Sequence, residues 1–184
     1  MTAGGTTMHG GGTAATAWYK DWQSAEHAAV FDSRRALGAA RLIRNYESFN
    51  DVRLIHEWLA RPEAVSLVEL GCATAEFYRY VRVRHPQVRY YGLDVSRAAI
   101  ARAKAKYPQA QVFVCEPEAD LAQTFRATLG LAGLPGLVYA KDVMHHQTDP
   151  LGFVSRLLRV ASEMVVVRTR TRDVGATVSD PEMS

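Results

Sequence analysis

The residues best suited to chemistry fall in four short stretches. Glu69-Leu70-Gly71 closes one apolar run and leads into Cys72-Ala73-Thr74-Ala75. Asp94 and Val95 close a second run, Glu116 a third, and Lys141-Asp142-Val143-Met144-His145-His146 follows a fourth. Asp94 lies about 20 residues past the glycine turn, a separation at which an acid can accept hydrogen bonds from ribose hydroxyls. It could equally be a helix-start acid, Glu69 could pair with an arginine, and Glu116, next to Pro117, could belong to a helix start. An unperturbed imidazole titrates near neutrality, so His145 or His146 is a candidate base or substrate contact. As a metal pair they lack further ligands, and adjacent side chains point apart in extended backbone. No metal site is expected.

The elements that must position these residues are readable from periodicity. Val65, Leu67, Val68 and Leu70 fit a buried parallel strand, followed by a helix from about Ala75 to Arg84 with Phe77, Tyr80, Val81 and Arg84 on one face. Val88 to Asp94 reads as a second strand; Ser96 then caps an alanine-rich helix through Lys106. Gln111 to Cys115 is a third strand, with Pro117 starting a helix through about Leu129. Leu137 to Ala140 is a fourth. Asp149-Pro150 is a helix start, with Leu151, Val154, Leu157, Leu158 and Ala161 on one face, and Met164 to Val167 is a fifth strand. Alternating strands and helices predict a doubly wound α/β sheet, in which ligands bind outside the carboxyl ends of the strands.

Ahead of this core, 17–62 reads as a helical segment, broken at Ser48 to Asp51, where Asn50 or Asp51 would cap the next helix, and ended by Arg61-Pro62. Its cluster Trp18-Tyr19-Lys20-Asp21-Trp22 suits either packing onto the sheet or a lid over the pocket. Residues 1–16, rich in Gly, Thr and Ala, are expected to be disordered or tag-like, and 171–184 form a polar tail that reads as truncated.

The composition, 48% hydrophobic and 22% charged over 184 residues, is that of a globular domain. A net charge of +3, with the basic residues scattered, does not argue for a nucleic-acid partner. Neither a membrane span nor a secretory leader is recognisable, so the expected location is cytoplasmic. The two cysteines, Cys72 and Cys115, adjoin strand ends and read as small buried hydrophobes.

E-L-G-C-A-T-A at 69–75, G-L-D-V-S at 92–96 and K-D-V-M-H-H at 141–146 together resemble the class I S-adenosylmethionine-dependent methyltransferases over roughly Val65 to Thr169. The resemblance implies a Rossmann-like sheet whose full order is 3-2-1-4-5-7-6; five strands are recognisable here and the carboxyl-terminal hairpin is not. A partner or second copy would then cover the fifth strand's edge. The resemblance makes 63–170 the S-adenosylmethionine-binding core, with Glu69, Gly71, Cys72, Ala73, Asp94, Val95, Glu116, Lys141 and Asp142 at the cofactor and His145 and His146 near the acceptor. Glu69 would hold the methionine amino end, Asp94 the ribose and Glu116 the adenine, with Cys115 or nearby backbone as alternatives for the last.

The turn itself bears on the choice of ligand. A dinucleotide needs small, neutral positions where its pyrophosphate meets the helix start. Here Ala73 adds a methyl group and Glu76 a carboxylate, which favours a sulfonium nucleoside over NAD. The expected activity is methyl transfer to a small-molecule oxygen or carbon nucleophile. The alternatives are a non-catalytic or truncated methyltransferase-like domain, supported by alanines at 73 and 75 where glycine is usual, and an NAD-dependent oxidoreductase. Alanine excludes this turn if φ must be positive there.

Overall fold

A computed structural model of the chain describes residues 24–32, 38–116, 119–130 and 133–169. The elements run α1 (Ala25–Asp32), α2 (Ala39–Glu47), α3 (Asn50–Leu59), β1 (Ser66–Leu70), α4 (Glu76–Arg84), β2 (Arg89–Asp94), α5 (Arg97–Lys106), β3 (Gln111–Val114), α6 (Leu121–Leu129), β4 (Leu137–Lys141), a 3₁₀ turn (Met144–His146), α7 (Pro150–Val160) and β5 (Met164–Arg168). The five strands form one parallel sheet in the order β3-β2-β1-β4-β5. This is the doubly wound α/β fold expected. The Trp18–Trp22 cluster, residues 1–16, Pro117 and residues 171–184 lie outside the described residues.

β1 is central and buried on both faces. Leu67 and Tyr139 belong to one core layer, with Val52, Ile55, Trp58 and Leu59 of α3, Phe77, Tyr80 and Val81 of α4, and Ile100 and Ala103 of α5. Val68, Leu70 and Val138 belong to the opposite layer, with Phe125 and Leu129 of α6 and Phe153, Leu157 and Val160 of α7. Side chains alternate across a strand, so one five-residue segment anchors both layers.

Polar ties fasten the amino-terminal helices to the first layer. The Tyr139 hydroxyl donates to Asp51 Oδ2 at 2.6 Å, and Trp58 Nε1 donates to Glu163 at 3.1 Å. Tyr46 of α2 packs its ring 5.4 Å from Phe77 and 5.2 Å from Tyr80. Asp51 is therefore committed to the sheet. Phe49 occupies the cap position of α3 and no side chain caps it, contrary to the expectation for Asn50 or Asp51.

Three further boundaries and faces differ from expectation. α6 begins at Leu121 rather than at Pro117, because Asp120 caps it by accepting from Gln123 N–H at 3.1 Å. The buried face of α7 is Phe153, Leu157 and Val160, while Leu151 and Leu158 are 81% and 63% exposed. The expected list mixed two faces, since Leu151 stands two residues from Phe153, on the far side of a 3.6-residue turn. Arg84 points outward from α4 and bonds Glu47 of α2 at 3.1 Å. The Ser96 and Asp149 caps are present, accepting from Ala99 N–H and Gly152 N–H.

The turn between β1 and α4 has positive φ at Gly71 (75°), Ala73 (46°) and Ala75 (59°). The expectation that alanine excludes such a turn is corrected: the turn forms, with the left-handed cost of about 1–2 kcal/mol per non-glycine residue borne by the surrounding fold. Gly71 and Cys72 N–H both donate to Leu93 O, and Ala75 N–H donates to Cys72 O. Ala73 N–H donates to Asp94 Oδ2 at 2.8 Å. At Gly71 a Cβ would also stand 2.4 Å from Val143 Cγ2, so any other residue there would be strained and would have to displace that side chain.

Ala73 is half-buried, whereas the Ala75 methyl is fully buried in the core. Ala73→Gly is therefore expected to raise stability by about 0.5–1 kcal/mol, strain relief exceeding the added unfolded-state entropy. Urea midpoints of the two proteins check this; a lower midpoint for the glycine variant would contradict the strain.

Candidate active site

A cavity of about 380 Å³ opens at the carboxyl ends of β1, β2 and β4. That is within the range of small-molecule sites. Every residue expected at the site lines it: Glu69, Gly71, Cys72, Ala73, Asp94, Val95, Glu116, Lys141, Asp142, His145 and His146. Parallel strands of matched register bring this about, since Leu70 pairs with Leu93 and with Ala140, so three strands end at one level.

Glu69 is the most constrained of these groups. It is 4% exposed, and one oxygen, Oε2, accepts a short hydrogen bond from the Tyr90 hydroxyl of β2. Burial pushes its carboxyl up to about 7, against the opposing effects of the Tyr90 bond and of Lys141. No arginine pairs with it in the described structure, contrary to one alternative the sequence left open.

Asp94 is held by backbone. Its Oδ2 accepts from Ala73 N–H and its Oδ1 from Ser96 N–H, each at 2.8 Å. Burial raises its carboxyl above the usual range, while these backbone donors work against the shift. Each oxygen retains a second lone pair, so the residue can still accept from a ligand. Asp94 thus shapes the turn as well as the cavity wall.

Glu116 is half exposed, and its Oε1 forms an ion pair with Arg97 at 2.7 Å. The late start of α6 removes the helix-start reading of this residue. Burial raises the Cys72 and Cys115 thiols, the latter to about 11, which disfavours a nucleophilic thiolate at either.

Two expectations about charge and geometry are corrected. Glu76 does not stand over the helix start as a bare carboxylate: it is paired with Lys106 Nζ and accepts from Tyr107 at 3.1 and 3.2 Å. Its charge is therefore balanced, and the phosphate-excluding part of the turn reduces to Ala73. His145 and His146 do not point apart, because they sit on a 3₁₀ turn rather than in extended backbone, with ring centroids 4.0 Å apart. Among the described residues no cluster of three or more His, Cys, Asp or Glu is arranged to hold a metal.

Sequence reasoning missed Tyr90, the partner of Glu69, and the aromatic wall of Tyr46, Phe77 and Phe153. Tyr90 was recoverable in principle. Glu69 pairs in register with Gly92, so Tyr90 is the diagonal same-face neighbour two residues back.

The sequence profile of the methyltransferase domain family matches residues 68–163. The chain belongs to this family. The methyltransferase domain is also 32% identical over 119 residues to a trans-aconitate 2-methyltransferase of Variovorax paradoxus strain S110, a match covering 63% of this chain and 42% of that protein. It thus spans less than half the length of that curated relative. The plantazolicin methyltransferase BpumL, solved in complex with SAH, superposes with a TM-score of 0.56 at 17% identity, covering 83% of this chain and 55% of that one. The magnesium protoporphyrin IX methyltransferase of Synechocystis PCC 6803, solved with bound SAM, gives 0.57 at 15% identity, covering 86% and 77%. These structural likenesses are likenesses of fold, the Rossmann-like sheet of class I methyltransferases.

The raised Glu69 carboxyl has a consequence for folding. Its folded value of about 7 exceeds the ordinary 4.5. The associated stability is fully present below about pH 4.5 and is lost as pH rises through 7. Between pH 5 and 8 the ligand-free domain should lose roughly 2–3 kcal/mol through this group, and Glu69→Gln should abolish that part of the decline. Chemical denaturation at both pH values checks it; parallel profiles for the two proteins would contradict a neutral buried acid.

Proposed function

We propose that this domain binds S-adenosylmethionine and transfers its methyl group to a small-molecule oxygen or carbon nucleophile. The observation that carries the reading is the convergence of two carboxyls, buried Glu69 and half-buried Asp94, beside a sharply bent turn at the carboxyl end of a parallel sheet. The residues fit such a ligand. Glu69 offers an acceptor to an ammonium group, Asp94 keeps lone pairs for ribose hydroxyls, and positive φ at Gly71 and Ala73 lets the backbone approach closely. Glu116 and the backbone beside Cys115 lie where adenine edges can be read, Glu116 sharing its carboxylate with Arg97.

When bound, S-adenosylmethionine supplies an electrophilic methyl group on a positively charged sulfur. The chain's own contribution is alignment of donor and acceptor, exclusion of water by Phe77 and Phe153, and acceptance of the proton that an oxygen or carbon acid must lose. His145 and His146 line the cavity and are the candidate bases. A small-molecule acceptor is in keeping with the relatives, whose names specify trans-aconitate, plantazolicin and magnesium protoporphyrin IX. Among the described residues no helix is long and apolar enough to cross a membrane. The alanines at 73 and 75 are accommodated by the turn, so they are no argument for a domain that has lost its ligand.

Calorimetric titration with S-adenosylhomocysteine tests the reading. Saturable binding is expected, and Asp94→Ala, confirmed folded by circular dichroism, should weaken it about ten- to a hundredfold, the loss of charged hydrogen bonds. Unchanged affinity would remove the ribose assignment. With an acceptor found by screening small acids and phenols, His145→Ala or His146→Ala should lower turnover at saturating cofactor about a hundredfold or more. Two fully active variants would remove the base.

A further inference from the structure

Among the described residues no arginine or lysine forms an ion pair with Glu69, although Lys141 lines the same cavity and acts on its charge. From β2, Glu69 faces the Tyr90 hydroxyl and Asp94; from the turn, the Cys72 thiol; from β4, Lys141 and Tyr139. The Tyr139 hydroxyl is turned to Asp51, and Asp94 is occupied by the backbone of Ala73 and Ser96. Tyr46 of α2 lines the same cavity and acts on Tyr90. Only the Tyr90 hydroxyl among the described residues donates to the carboxyl, and it takes Oε2. Glu69 lines the cavity, and among the described residues no hydrogen bond takes Oε1.

Burial of a carboxylate without a directly bound cation is costly, and the group avoids that cost by keeping its proton. A ligand ammonium reverses the balance, because a charge-assisted hydrogen bond in a dry site favours the ionised acid. Tyr90 is well placed to govern the exchange. Its own hydroxyl is buried and pushed far above the usual range, so it stays a donor at every physiological pH.

We propose that Tyr90 is a positioning residue for the ligand: by donating to Oε2 of Glu69 it leaves Oε1 to accept from the ligand's ammonium, and binding of the ammonium favours the ionised carboxyl. The ammonium keeps its protons and donates one hydrogen bond; the carboxyl proton passes to solvent. The inference rests on the proposed nucleoside reading and adds to it a proton linkage and a residue that sets its pH range. Burial holds the Glu69 carboxyl near 7, which places the linkage in the physiological window.

The experiment is calorimetry of the whole chain with S-adenosylhomocysteine in buffers of different ionisation enthalpy, from pH 5.5 to 8.5. 5′-Methylthioadenosine, which lacks the amino-acid end, serves as the control ligand. Close to one proton should be released per S-adenosylhomocysteine bound at pH 6, falling toward zero at pH 8 and above, and affinity should rise about tenfold per pH unit below 7 and then level. Methylthioadenosine should bind with no proton release and no such slope. Tyr90→Phe should move the midpoint of the affinity profile up by about one pH unit, since the lost donor had favoured the ionised acid. A merely structural tyrosine would lower affinity evenly at all pH values.

Glu69→Gln, nearly isosteric, should bind more weakly and independently of pH, which keeps the test available if Tyr90→Phe fails to fold. Binding of S-adenosylhomocysteine with no proton release, or an unmoved midpoint in folded Tyr90→Phe, overturns the inference while leaving the nucleoside reading intact. Failure of both ligands to bind the folded chain at millimolar concentration overturns both.

Discussion

The structure depends on holding two carboxyl groups, Glu69 buried and Asp94 half-buried, at the wall of one cavity. Glu69 ends a strand that is buried on both faces, and Asp94 ends the strand beside it. Among the described residues neither forms an ion pair with an arginine or lysine, though Lys141 acts on the charge of Glu69. One is kept by a tyrosine hydroxyl, the other by two backbone N–H groups. Taking ionisable groups out of water without full compensation works against folding. The fold accepts this at the one point where three strands end together, and that is where the cavity lies.

The bent turn is the second half of the same constraint. Asp94 accepts from Ala73 N–H only because the backbone at 71–75 swings into left-handed conformations. Two of those positions carry a methyl group where glycine would sit without strain. The turn is therefore over-determined: hydrogen bonds from Gly71 and Cys72 to Leu93, the Asp94 carboxylate and the close approach of Val143 act on the same few residues. Strain maintained by its surroundings at the mouth of a cavity is the usual mark of a site rather than of a connector.

Much of this was legible in the chain. The strands announce themselves by apolar runs and their ends by an acid or a glycine, so the sheet was placed by pattern and spacing, and the expected cavity residues by these together with the family resemblance. What pattern could not reach is pairwise. The pairing of Glu76 with Lys106 and Tyr107 joins residues thirty positions apart. The close, tilted approach of the His145 and His146 rings follows from a single 3₁₀ turn that has no periodic signature. The face of α7 was misread because Leu151 and Leu158 are as apolar as the residues that are buried. The cap of α3 was misread because Asp51 had a stronger use, in the bond from Tyr139. For Glu76 and Asp51 the deciding partner lies elsewhere in the sequence.

The central claim is that the cavity over residues 69–76 is shaped for a nucleoside bearing an ammonium-terminated sulfur chain. A crystal structure grown with S-adenosylhomocysteine tests it most directly. The account predicts the amino group within hydrogen-bonding distance of Glu69 and the ribose hydroxyls on Asp94. Density for the ligand away from both carboxyls, or a cavity that stays empty at saturating ligand, would contradict it.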